Sequence, residues 1–413
     1  MQQSLLINFG GIFENLYKSM GFVQGNWQNY VMLLISFVLM YLAIVRKFEP
    51  MLLLPIAFGM FLINLPGAES VLWGTHPAGD TSYEAVEHRG LLWYLYFGVD
   101  KVIYPPLIFL GIGAMTDFGP LIANPKSMLI GAGAQLGVFV AFALAVLCGF
   151  SVAQAASIAI IGGADGPTAI MTTSLLAEKY VPTIAIAAYS YMALIPIIQK
   201  PLMKLLTTKK ERAIRMKPLR QVSKIEKILF PLVVTLVVGI ILPQSIALLG
   251  MLMLGNLFRE CGVVERLSTQ AQHGLMNTVT IFLGIAVGCK AKGDIFLTVD
   301  TLMIIGLGLF AFIIGTIGGL LTAKVMCKLT KGQINPLIGS AGVSAVPMAA
   351  RISEDMGRKY DPQNHLLMHA MGPNVAGVIG SAIAAGILIA CFLGYKDGAT
   401  ASEAAAMIQS LVA

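Results

Sequence analysis

The chain has 413 residues, of which 57% are hydrophobic and only 12% charged, with a formal net charge of +7. Soluble domains carry about 25% charged residues, so the composition excludes a soluble globular protein and points to an all-α polytopic membrane protein. The positive charge does not signal nucleic acid, because its carriers gather in one loop rather than over a folded surface, which is the pattern of membrane topology.

The N-terminal stretch Met1–Gly11 lacks the basic n-region and small-residue cleavage site of a signal peptide, so none is expected. Residues 4–22 read as an amphipathic helix at a bilayer interface, and 1–28 is set apart as an interfacial segment. Apolar stretches close to the ~20 residues of a spanning helix follow at 29–46, 50–66, 91–115, 127–150, 153–177, 183–199, 228–242, 244–258, 275–290, 300–323, 334–350 and 366–394. They leave no room for a soluble domain. The cysteines, Cys148, Cys261, Cys289, Cys327 and Cys391, are dispersed without the paired spacing of a metal or redox motif and read as packing residues.

Lys and Arg mark the cytoplasmic side. The loop from Lys200 to Lys227 is rich in both against only Glu211 and Glu226, and Arg46 with Lys47 gives a second inside mark; 68–90, with Glu69, Asp80, Glu84 and Glu87 against Arg89, suits the outside. Between the two inside marks the number of crossings must be even, yet the apolar segments there, 50–66, 91–115, 127–150, 153–177 and 183–199, are five. One of them does not cross.

The segment 153–177 is the better candidate, because it holds Ile161-Gly-Gly-Ala-Asp-Gly-Pro-Thr-Ala-Ile170 in its middle. That break lets the chain enter from outside, turn at depth and return, with Asp165 near the tip. The alternative is 91–115, interrupted by Asp100 and Lys101. A charge at bilayer depth costs at least about 2.5 kcal/mol, and a helix broken there leaves backbone groups needing partners. A bound cation is the expected compensation.

A second break, Ile334-Asn-Pro-Leu-Ile-Gly-Ser-Ala-Gly-Val-Ser-Ala-Val-Pro-Met-Ala-Ala-Arg351, lies in the C-terminal half. Asp117 precedes the first break and Asp294 the second by similar intervals, and a segment with internal polar groups follows each, Tyr189–Pro196 and His369–Ser381. This faint duplication predicts two inverted repeats, at 29–208 and 228–413, joined by a basic linker at 209–227. The second hairpin then enters from the cytoplasm, as the flanking Lys324, Lys328, Lys331 and Arg351 agree, and the two breaks bring Asp165 and Ser344 together.

On the residues alone, Asp165 reads as a sodium or proton site against a cap for a broken helix. Asn374, in Gly372-Pro373-Asn374, is a ligand or satisfies its own turn. Tyr191 is a donor to the carboxylate or, like Tyr189, a buried aromatic. Ser344 reads as a small packing residue, and Arg351 as an inside anchor rather than a contact for an anionic substrate. His365 and His369, four residues apart, are weak evidence for a metal and are given no role.

The residues Gly162-Gly-Ala-Asp-Gly-Pro-Thr-Ala-Ile170, Tyr189-Ser-Tyr-Met-Ala-Leu-Ile-Pro196, the Asn335/Gly339/Ser344/Arg351 series and Gly372-Pro-Asn-Val-Ala-Gly377 closely resemble the β subunit of the biotin-dependent sodium-translocating decarboxylases, over essentially the whole chain. The resemblance implies two inverted repeats forming a core and a scaffold, in a trimer with a small membrane γ subunit. It implies Na+ and carboxybiotin, the latter on a biotin carrier domain charged by a separate carboxyltransferase α subunit from oxaloacetate, methylmalonyl-CoA, glutaconyl-CoA or malonate. It implies decarboxylation of carboxybiotin coupled to Na+ export, with a proton consumed, in a bacterial or archaeal cytoplasmic membrane. The aspartate matching Asp165 is that family's sodium and proton residue, and Tyr191, Asn335, Gly339, Ser344, Arg351 and Asn374 match its functional set. This raises Tyr191, Ser344 and Arg351 above their residue-only readings, with Asp165, Asn374 and Ser344 for Na+, Arg351 for carboxybiotin and Tyr191 for proton relay. A sodium-coupled organic-anion symporter and a non-catalytic membrane scaffold are the alternatives.

Overall fold

Apolar runs bounded by prolines, glycines and small polar caps dictate helices, and among the described residues the secondary structure is helical apart from turns, bends and one isolated bridge between Thr75 and Glu87. In a computed structural model of the chain, the described residues are 13–395 without 15, 19, 76–82 and 84. Much of the expected interfacial segment, Asp80, Glu84 and the chain after 395 therefore lie outside the described residues.

Helix α1 (Trp27–Ile44) starts where Asn26 and Asn29 cap each other's backbone amides. Helix α2 (Pro50–Asn64) starts on a proline. The segment 91–115 is broken between α3 (Leu91–Asp100) and α4 (Tyr104–Met115). The next span divides into α5 (Met128–Ala134) and α6 (Leu136–Leu147), then α7 (Val152–Ala159) and α8 (Gly166–Leu176) flank the first break, and α9 (Val181–Leu206) follows. Helix α9 bends by 57° near residue 193, where Pro196 removes the bond to the carbonyl four residues back.

In the second half come α10 (Lys224–Ile241), α11 (Ile246–Cys261), α12 (Met276–Cys289), the long α13 (Val299–Leu329), the second break, α14 (Met348–Tyr360) and α15 (Leu367–Phe392). Four helices among the described residues are long and apolar enough to cross a membrane, or six if each of two bent pairs is one span. The chain is thus an all-α polytopic membrane protein. The expected segment 334–350 differs in its bounds: its apolar run ends near Ala350, but the helix continues to Tyr360 because Ile352, Ser353, Met356 and Gly357 keep a buried face at helical spacing.

Two compact units are present, residues 1–98 with 281–298, and 99–280 with 299–413. In the first, α2 closes on the 281–298 segment, and Asn64 Nδ2 donates to the Ala291 carbonyl at 2.7 Å. Trp73, Tyr83 and Tyr96 surround the Lys290 ammonium there, at 4.7, 5.9 and 4.4 Å from their ring centres, a cation–π arrangement.

In the second unit, α4 and α11 cross so tightly that a Cβ on Gly113 would stand 1.9 Å from the Leu252 carbonyl oxygen, the close approach that small residues permit between membrane helices. The basic linker is strapped to this unit rather than left as a free loop. Buried Arg212 donates to Thr207 Oγ1 at 2.9 Å and to the Tyr360 hydroxyl at 2.6 Å. Arg215 binds both oxygens of Asp361 and holds that carboxyl below its ordinary range.

Gly113→Ala is expected to destabilise the purified protein by about 1–3 kcal/mol, because a backbone carbonyl blocks the new methyl. Gly250→Ala in α11, where the nearest atoms would lie at 3.6 Å, is expected to be neutral or to stabilise by up to about 1 kcal/mol. Thermal unfolding midpoints in detergent check the pair.

Candidate functional site

The first break follows from its glycines and proline. Helix α7 tightens into a 3-10 turn at Ile160–Gly163, Ala164 takes a left-handed conformation with φ of 57°, and Asp165 is extended before Pro167 restarts the helix. The arms α7 and α8 pack against each other across the break. Asp165 is 5% exposed. One carboxylate oxygen accepts from the Thr168 amide at 3.5 Å and the other from the Ser381 hydroxyl at 2.8 Å. The carboxylate caps α8, yet a single long main-chain bond does not saturate its lone pairs.

The second break holds a 3-10 turn at Pro336–Gly342, followed by an extended stretch leading into α14. Ser353 on α14 meets Ser340 at 3.0 Å and donates to the Leu337 carbonyl, closing the two arms. The breaks meet through the backbone: the Ser344 amide donates to the Gly163 carbonyl at 3.1 Å. Asn374, fully buried on α15, donates through Nδ2 to the carbonyls of Ala341, Val343 and Ala345 at 3.0, 2.7 and 3.4 Å. Its Oδ1 and the buried Ser344 Oγ have no hydrogen-bond partner among the described residues.

Asp165, Ser344 and Asn374 each carry a buried hard oxygen on segments that hydrogen bonds join at the two breaks. Such ligands suit an alkali or alkaline-earth cation rather than a soft metal, and among the described residues there is no group of three or more His, Cys, Asp or Glu able to hold a metal ion.

The other expected residues stand elsewhere. The Tyr191 hydroxyl donates to the Ile305 carbonyl of α13, not to Asp165. Asn335 caps the second break through Oδ1, and its Nδ2 donates to the Arg212 and Ile214 carbonyls at 3.0 and 2.8 Å, pinning the linker. Gly339 lies against α13, where a Cβ would stand 2.4 Å from the Gly319 oxygen. Arg351 is exposed on the first turn of α14, and its guanidinium forms no ion pair among the described residues. One turn on, Glu354 helps to line a cavity of about 940 Å³ whose wall includes Arg215, Arg220, Lys227, His365 and His369.

Two neighbours of Asp165 carried no role in the sequence reading. Ser381 stands seven residues after Asn374 on α15, hence on nearly the same helix face, and it gives the carboxylate a side-chain donor at 2.8 Å. Tyr189 lays its ring against Gly166, where a Cβ would stand 2.2 to 2.5 Å from ring atoms and hydroxyl. Polar groups inside a transmembrane-length segment were the available signal for both.

The family described as the Na+-transporting oxaloacetate decarboxylase beta subunit matches residues 28–392. The chain is 58% identical to the methylmalonyl-CoA decarboxylase subunit beta of Propionigenium modestum, covering 92% of this chain and 98% of that one. It is 54% identical to the glutaconyl-CoA decarboxylase subunit beta of Acidaminococcus fermentans, over 91% and 96%. It is 49% identical to a probable oxaloacetate decarboxylase beta chain of Vibrio cholerae, over 92% and 99%.

Gly166→Ala is expected to cost about 1–3 kcal/mol by striking the Tyr189 phenol. In Gly166→Ala/Tyr189→Leu the two costs should fall short of their sum, because the obstructing ring is gone. A double-mutant cycle on unfolding midpoints reads this directly.

Proposed function

The chain belongs to the family of membrane beta subunits of the Na+-transporting decarboxylases, and from that premise we propose how its buried oxygens couple decarboxylation to Na+ movement. Its relatives are named for three different acids or thioesters, yet each matches nearly end to end. A subunit binding those acids directly would need different sites for them; one that meets only the shared carboxybiotin would not. Carboxybiotin, brought by a biotin carrier domain, is thus the substrate here, and the carboxyltransferase subunit, which selects the acid, is a partner.

The observation that carries this reading is Asp165: a carboxylate at the tip of a broken segment, buried, short of donors and tied through Gly163 to the second break. Na+ enters from the side of the basic linker and displaces the proton from Asp165, taking oxygens from Asp165, Ser344 and Asn374. A rearrangement then opens the site to the other side, Na+ leaves, and a proton takes its place on the carboxylate. That proton is consumed when the carbamate N–C bond of carboxybiotin breaks: the nitrogen gains the proton and the carboxyl group leaves as carbon dioxide. Moving one charge against 100 mV costs about 2.3 kcal/mol, within reach of a decarboxylation.

Arg351, exposed at the start of α14, is the cation that meets the carboxylate of carboxybiotin, and the cavity beside that helix, with Arg215, Arg220 and Lys227 in its wall, favours an anionic visitor on the same side. Tyr191 acts through its bond to Ile305, fixing α9 to α13, and reaches Asp165 as a relay only when that bond opens. Asn335 and Gly339 hold the second break in place. The order long helix, break, long helix occurs twice, at 125–206 and 299–392, which supports the two inverted repeats and the divisions at 29–208, 209–227 and 228–413. The trimer, the small γ or δ subunit and placement in a bacterial or archaeal cytoplasmic membrane complete the proposal.

Asp165→Asn, in the assembled complex in proteoliposomes, is expected to drop both Na+ uptake and Na+-dependent decarboxylation to background; uptake at the normal rate would overturn the account. Avidin, by capturing biotin, is expected to stop Na+ transport by the wild-type complex. Transport that persists would indicate a symporter, and a complex that decarboxylates without moving Na+ would indicate a scaffold.

A further inference from the structure

The span that carries α5 and α6 is interrupted at one residue. The Gln135 backbone amide bonds to the Ala132 carbonyl and the Val138 amide to the Gln135 carbonyl, both three residues apart, at 3.0 and 2.9 Å, and the ordinary four-residue bond from the Phe139 amide to the Gln135 carbonyl is stretched to 3.4 Å. Such a 3-10 step inside a helix re-aims the side chain that it carries, and often marks a functional position. The side chain here is a primary amide only 6% exposed.

Its two ends are treated differently. Nε2 donates to the Gly377 carbonyl at 3.3 Å, which fixes the rotation of the amide plane, since only the nitrogen can donate. Oε1 is fully buried without a hydrogen-bond partner among the described residues. It points to the first break: a Cβ built on Gly163 would stand 3.7 Å from Oε1 and 3.2 Å from Ser381 Cβ. Ser381 is the residue whose hydroxyl binds Asp165, and Gly163 is the residue whose carbonyl joins the second break. Gly377, the anchor of Nε2, lies between Asn374 and Ser381 along α15.

A buried amide oxygen without a donor is costly in a packed interior. A residue needed only for packing at this place would be served by leucine or methionine. We propose that Gln135 is a further ion-coordinating residue: its Oε1 supplies a neutral oxygen to the monovalent cation held by Asp165, and the Gly377 carbonyl sets the aim of that oxygen. This rests on the reading of Asp165 as the cation site. A neutral, rigidly aimed oxygen adds a contact without adding charge, so it tunes affinity and the choice among Li+, Na+ and K+ rather than the occurrence of decarboxylation.

The test uses the assembled complex in proteoliposomes, with Gln135→Met, which keeps the length of the side chain and loses the amide, and Gln135→Glu, which keeps an oxygen and loses the tether to Gly377. Gln135→Met is expected to raise the half-saturating Na+ concentration about tenfold or more, the effect of losing one bond of about 1.4 kcal/mol, with turnover at saturating Na+ near that of the wild type. Gln135→Glu is expected to shift the Li+ to Na+ preference and make Na+ affinity steeply pH-dependent. Should Gln135→Met fail to assemble, Gln135→Glu and the Na+-induced rise in unfolding midpoint of the detergent-solubilised complex give the same reading. Unchanged half-saturation and unchanged Li+ to Na+ preference in the variants, or a turnover loss that is the same at all Na+ concentrations, would overturn the inference. If Asp165→Asn abolishes Na+ dependence while the Gln135 variants leave it unaltered, only the role of Gln135 falls; if Asp165→Asn retains it, the reading of the site falls with it.

Discussion

Two interruptions of helix inside one apolar unit leave backbone donors and acceptors that cannot turn to water, and each interruption supplies what the other lacks. The bond from the Ser344 amide to the Gly163 carbonyl is the direct link between them. Asn374 completes it by bringing the two protons of one amide nitrogen to the carbonyls of Ala341 and Val343, with that of Ala345 sharing at 3.4 Å. Leaving such groups without partners would cost about 1–3 kcal/mol each, so neither break is stable in isolation. The arrangement also has a polarity. It uses up backbone groups and leaves side-chain oxygens, those of Asp165, Ser344 and Asn374, underbonded around the junction.

The basic linker belongs to the same system. Its positive charge marks topology, but Arg212 is buried and gives its donors to Thr207, Lys204 and Tyr360, while its own carbonyl accepts from Asn335 and Asn364. One residue thus ties the end of α9, the start of the second break and the end of α14. Movement of the second break is thereby constrained by a segment that looks, from its charges, like a solvated loop.

How much of this is legible in the chain depends on the range of the interaction. Asp165 declares itself because a carboxylate among apolar neighbours is expensive, and the adjacent Gly, Ala and Pro residues show where the helix stops. Ser381 does not, because a serine in the Gly- and Ala-rich run of α15 looks like a packing residue until its partner, 216 positions earlier, is known. Asn335 is conspicuous beside a proline, yet its partners lie 121 and 123 residues away in the linker. Tyr189 and Tyr191 sit two positions apart, about 200° around a helix, so only one can face Gly166, and periodicity alone does not say which. The extension of α14 to Tyr360 was hidden because an amphipathic helix ends its apolar run before it ends its turns.

The aromatic cluster around Lys290 has an optical consequence. All three tryptophans of the chain, Trp27, Trp73 and Trp93, fall in residues 1–98. The unit that holds the two breaks therefore contains no indole. Tryptophan emission therefore reports on the other unit alone, with Trp73 beside the Lys290 ammonium and Trp93 stacked on Tyr83, and the unit that holds the two breaks is silent in the indole band until a reporter is placed in it.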